Sequence, residues 1–182
     1  MAPDKQAQFI AKWFTKAEQD TDVFDRFVSA WVALTIASQR HRTIRGHRRR
    51  DETDRERIID YFKSNAAKLR AAVQENVVEL RRLAERRGTR GGTIVDGATI
   101  QVHCRIFKST VLGTSTCTNE HLATATAEIL NKVRNNLFHG TKMYDDTNDR
   151  ELLNLVTPLL MTIVATCEGL GLPSARSARN LG

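Results

Sequence analysis

The chain has 182 residues and a mass of 20.5 kDa, about the size of one domain, which excludes a multidomain machine. Hydrophobic residues make up 41% and charged residues 27%, so wholesale disorder and a disulfide-stapled mini-protein are excluded as well. Against 21 Asp and Glu stand 28 Lys and Arg, giving a net charge of +7 and a pI near 9.7. Such a field speeds encounter with polyanions without naming one.

The three cysteines, Cys104, Cys117 and Cys167, are odd in number and lack a Cys-x-x-Cys spacing. That pattern argues for a reducing compartment, the cytoplasm by default. The N-terminal residues MAPDKQAQFIAKWF lack the basic start, apolar stretch and cleavage site of a secretory signal, so export is not expected. Only 3 Pro and 10 Gly are present, which leaves long stretches open to helix.

In chain order, Phe9, Ile10, Trp13 and Phe14 recur at helical spacing and predict a first helix over 4–18. Asp20, Thr21 and Asp22 offer caps for a second helix over 22–44, whose stripe of Phe24, Phe27, Val28, Trp31 and Leu34 reads as aromatic core. Residues 40–50, RHRTIRGHRRR, then carry six Arg and two His around Gly46. Arg42, Arg45, Arg48 and Arg49 are candidate phosphate contacts, because guanidinium groups bind phosphate in a bidentate way. No aromatic residue interleaves them, so no base-stacking platform is expected.

Asp51 to Asp54 make an acidic helix start for an apolar run through Ile58, Ile59, Phe62, Leu69, Val73, Val77, Leu80 and Leu83. This run reads as one helix, or as two broken near Ser64 and Asn65. TIVDGATIQV, residues 93–102, has β-formers on both sides of Asp96-Gly97 and predicts a small β-hairpin or an ordered loop.

Thr116, Thr118 and Asn119 are candidate caps for a helix running to about His139, with Leu122, Ile129, Leu130, Val133 and Leu137 on its core face. Helical geometry sets Glu128, Asn135 and His139 on the opposite side, with Arg134 at the border. A last helix from about Asn148 carries Leu152 to Cys167 and ends at Gly169. That apolar stretch is short for a membrane span and is broken by Asn154, Thr157 and Pro158, so it reads as a core helix that Pro158 should kink. The tail 171–182 is small, basic and aperiodic, and is expected to be disordered. Residues 1–170 are therefore expected to form a single all-α domain, a bundle of four to six helices.

The segment KVRNNLFHGTK, Lys132 to Lys142, carries the chemistry. A His exchanges a proton near neutral pH, an Arg binds a phosphate and offsets charge in its transition state, and an Asn orients both. Those are the parts of a metal-independent ribonuclease using the RNA 2′-hydroxyl as nucleophile. Arg134 and His139 are five apart and diverge by roughly 140° on a regular helix. Either the helix end unwinds near Gly140, or two copies cooperate.

RNNLFHG resembles the signature of the HEPN superfamily: an Arg, a polar residue, three further residues and a His, on the penultimate helix of an all-α bundle. The motif's place along the chain and the single apolar helix after it agree with that arrangement. The resemblance implies a HEPN-like domain and an endoribonuclease of the toxin–antitoxin, anti-phage defence or CRISPR kind, acting as a homodimer with two motifs facing one cleft. It makes Arg134, Asn135 and His139 the catalytic residues and Lys142 a further phosphate contact. It also implies an RNA substrate and an antitoxin or regulatory protein as partner, with no cofactor and no membrane. Some HEPN proteins carry a Tyr two residues after the His that receives adenylate. Here Thr141 stands there, and the nearest tyrosine is Tyr144, which puts that form of regulation in doubt.

Three other readings compete. A non-catalytic HEPN-like module would use the same basic surface to bind RNA or a nucleotide, or to dimerise. A zinc site from His103, Cys104, Cys117 and His121 lacks a recognised spacing, and no metal is expected. A DNA-reading helix-turn-helix is disfavoured because the arginines sit in a glycine-broken run.

Overall fold

Local capping signals decide where the helices begin. In the computed structural model, which describes residues 4–46, 52–85, 101–138 and 147–171, Asp4 opens α1 (Lys5–Gln19) by accepting the backbone N–H groups of Gln6 and Ala7. Asp22 opens α2 (Val23–Arg45) in the same way through Phe24 and Asp25. Gly46 stops α2 with a φ of 70°, a left-handed value that suits glycine. Thr53 and Glu56 form a reciprocal capping box at the head of α3 (Asp54–Ser64). There follow α4 (Ala66–Glu75), α5 (Val77–Glu85), α6 (Gln101–Val111), α7 (Asn119–Phe138) and α8 (Thr147–Glu168). No strand occurs among the described residues, and the fold is an all-α helical bundle.

The described residues hold eight helical segments where four to six helices were expected, for two reasons. The third apolar run is cut twice, at Asn65 and Asn76, into α3, α4 and α5. In addition, Gln101 and Val102, assigned to the second arm of a hairpin, instead begin α6. The rest of that expected hairpin, residues 93–100, lies outside the described residues, as does the tail from residue 172.

The core is continuous from α1 to α8. α1 and α2 form an antiparallel pair closed by Ser29 Oγ on Asp20 and by Arg26 Nε on the Ala17 carbonyl. Trp31 lies in this core, stacked on Phe27 with ring centroids 6.0 Å apart, as its stripe predicted. α8 packs on α2, α4 and α5, and the helix runs through Pro158, whose ring is on an exposed side. By length and composition α8 would suffice to cross a membrane, longer than Leu152 to Cys167 alone suggested, yet 61% of its most apolar window is buried in the bundle. It serves the molecule as a core helix.

α7 is held by α3, α4 and α6 and touches α8. Lys63 pairs with Glu120 and Arg55 with Glu128, so α3 and α7 run antiparallel, with the start of α3 beside the middle of α7. From Leu122 to Val133 nearly every residue of α7 is buried, including Ala123, Ala125, Thr126, Ala127, Glu128 and Asn131. The first turn, with Asn119, Glu120 and His121, and the last, with Asn135 and Asn136, are exposed.

Candidate functional site

Two of the three motif residues stand in that last turn. Asn135 is exposed, Arg134 is half-buried, and Arg134 Nη1 donates to Asn135 Oδ1 at 3.0 Å. This contact joins neighbours in the sequence and gives the guanidinium a polar anchor at the solvent edge. Val133 below is fully buried and Leu137 packs on the core, so the turn that carries the pair is fixed by its apolar side. α7 ends at Phe138, and His139 and Lys142 lie outside the described residues.

The end of a helix that carries the motif is its negative pole, with unpaired carbonyls. A phosphate placed there needs cations to offset that pole. Lys132, one turn before the last, and Arg134 supply two from α7 itself.

The basic run of α2 is more dispersed than its sequence suggested. Arg42 Nε pairs with Glu52 at 3.2 Å, just before α3 begins, whereas Arg45 Nη1 donates to Ser64 Oγ at 2.9 Å, where α3 ends. The two guanidinium groups therefore reach opposite ends of α3 and do not converge on one patch. Arg42 is the one that reaches the end of α3 lying beside the middle of α7. Arg48 and Arg49 lie outside the described residues.

Glu128 departs from the expectation that it faces away from the core: its side chain is buried. The physical reason is that α7 is enclosed on several sides, so a single apolar stripe does not describe it. The carboxylate is satisfied by Arg55 from the first turn of α3, with Nε donating to Oε2 at 2.9 Å and Nη2 to Oε1. The Glu128 hydrogen bonds in turn hold the Arg55 guanidinium charged beyond its ordinary range. Sequence reading passed over Arg55; its signal was an Arg in the first turn of a helix, where a cation opposes the dipole and needs a partner from elsewhere.

At the other end of α7, Cys117 sits in an open groove of about 570 Å³ with Ser109, Thr118 and His121. Its Sγ is 3.2 Å from Thr110 Oγ1. Among the described residues no group of three or more His, Cys, Asp and Glu side chains is placed to hold a metal ion.

No family model, no curated protein and no solved structure matches the chain.

Proposed function

We propose that the protein is a metal-independent endoribonuclease of the HEPN type, with Arg134, Asn135 and His139 as its catalytic set. The observation that carries the reading is the Arg134–Asn135 side-chain pair at the solvent-facing C-terminal end of a helix whose middle is buried, shortly before His139 in the sequence. A hydrogen-bonded Arg at a solvent edge is preorganised to bind a phosphodiester.

In this mechanism a His139 imidazole takes the proton from a ribose 2′-hydroxyl, and the oxygen attacks the adjacent phosphorus. Arg134 binds the non-bridging oxygens as charge builds on them, and Asn135 holds the guanidinium. The bond to the 5′-oxygen of the next nucleotide breaks, and that oxygen receives a proton from a second His139. The products are a 2′,3′-cyclic phosphate and a 5′-hydroxyl. The two imidazoles come from two copies of the chain, one as base and one as acid, which is why the active form is a homodimer. Lys142, Arg42, Arg48 and Arg49 add phosphate contacts around this centre, and Arg45, held at the far end of α3 by Ser64, does not. Such an enzyme acts in the cytoplasm as a toxin or defence effector, under an antitoxin or regulatory protein.

Incubating wild type, Arg134→Ala and His139→Ala with structured and single-stranded RNA in EDTA tests this directly. Mass analysis should find cyclic phosphate ends with wild type only. General acid–base groups contribute about 10² to 10⁴ in rate, and His139→Ala should lose at least the lower figure. Folded, dimeric wild type that binds RNA and leaves it intact would replace the nuclease by a binding module.

A further inference from the structure

This inference rests on the RNA-cleavage reading and concerns the surface beside the motif. Glu128, Lys132 and Asn135 follow one another at spacings of four and three, so they share one face of α7 and span about 10 Å of its length. Glu128 is buried at the near end of this line beneath Arg55, which itself keeps 56% of its side chain exposed. The carboxylate uses two of the five guanidinium N–H donors. Arg55 is thereby fixed in direction and charge while the rest of its guanidinium remains open to solvent. Lys132 stands on the same face between Glu128 and Asn135.

Of the acids of this corner, Asp54 pairs with Arg57 and Glu52 with Arg42, while Glu56 is held in the Thr53 capping box and adds its charge to the field on Arg55. Arg55 and Lys132 are thus the cations that the α7 face presents in line with the motif. Stability alone gives little reason for the pair, because apolar residues of similar volume commonly replace a buried ion pair at no cost. A fixed, half-exposed guanidinium is instead a good phosphate ligand.

We propose that Arg55 and Lys132 form a second phosphate-binding subsite for single-stranded RNA, one to two turns of α7 before Arg134 and Asn135. The strand leaving the scissile bond would then track along α7 towards the head of α3.

The test is the salt dependence of binding of the full-length protein to a 2′-O-methyl oligoribonucleotide, which lacks the nucleophile and stays intact. The double variant Arg55→Gln/Glu128→Gln removes the cation without changing net charge and leaves two amides able to hydrogen-bond each other. Lys132→Gln is a separate, surface-side variant. Each should lower the slope of log affinity against log salt by about 0.7, the value for one phosphate of a single strand that no longer meets a cation. Unchanged slopes in both variants overturn the subsite. If circular dichroism shows the double variant unfolded, Lys132→Gln decides alone.

The probe cannot be cleaved, so the subsite and the nuclease fail separately. Reduced slopes with no cleavage of ordinary RNA keep the subsite and sink the nuclease. Cleavage with unchanged slopes does the reverse, and a wild type that does not bind the probe overturns the subsite.

Discussion

Glu168 closes α8 as a carboxylate whose side chain is 9% exposed, accepting Tyr61 Oη at 2.7 Å and Arg40 Nη1 at 3.0 Å. Arg40 also pairs with Asp4, the cap of α1, so one guanidinium ties the start of α1 to the end of α8. Burial in this cluster pushes the Tyr61 phenol far above its ordinary range and the neighbouring Cys167 thiol up to about 11. At pH 9 the folded protein then holds about one Cys167 in a hundred as thiolate, against roughly half or more for an unperturbed thiol. Alkylation with iodoacetamide at that pH, read by peptide mass spectrometry, should be at least about tenfold slower at Cys167 in the folded chain than in urea. Equal rates would place the thiol in water. The same shift has a sign for stability: the unfolded thiol ionises first, so this contribution is complete below the ordinary value of 9.0 and is lost as pH rises towards 11.

At the scale of the element, the head of α3 matters because it lies against the middle of α7 through Arg55 and Glu128. Its Thr53–Glu56 capping box satisfies donors that α7 does not reach. Thr53→Ala should cost about 1 kcal/mol, read as a lower urea midpoint at constant m-value. No change in midpoint would show that the end frays anyway.

The starts of α1, α2 and α3 were legible for this reason: a short polar side chain before an apolar period is a local signal. The break at Asn65 was one of the two readings of its run, whereas the break at Asn76 was not legible. Each side-chain amide donates to the carbonyl four residues back, Tyr61 and Ala72 respectively, in competition with the helix. Asn76 also reaches Thr162 on α8, and that partner is invisible in the local sequence. α6 was missed because Thr99, Ile100 and Val102 favour strand, while the gain that makes the helix is tertiary: Phe107 and Val111 are buried against neighbouring helices. The exposure of Asn135 and the border position of Arg134 were legible from helical geometry. The burial of Glu128 was not, because a periodicity argument assigns each helix one apolar face, and α7 has neighbours on several.

For the molecule as a whole, the spacing of Arg134 and His139 bears on the assembly that the proposed nuclease requires. Five residues of regular helix separate two side chains by about 140°, and α7 is helical through Phe138. One phosphate cannot easily meet both groups from one straight helix, whereas a two-fold pairing of α7 ends lets Arg134 face His139 of the partner subunit. The proposed two-chain site predicts that an inactive chain silences an active one. In a dimer of wild type with His139→Ala one imidazole of the acid–base pair is gone, which costs about 10² or more in rate. Equal mixing with random exchange leaves about a quarter of the dimers wild type, so cleavage should fall to about a quarter of that of wild type at the same total concentration. Subunit exchange is checked independently by native mass spectrometry of chains with different tags. A fall to about a quarter identifies a site built from two chains. A fall only to about half, with exchange complete, means that each chain assembles its own Arg134 and His139.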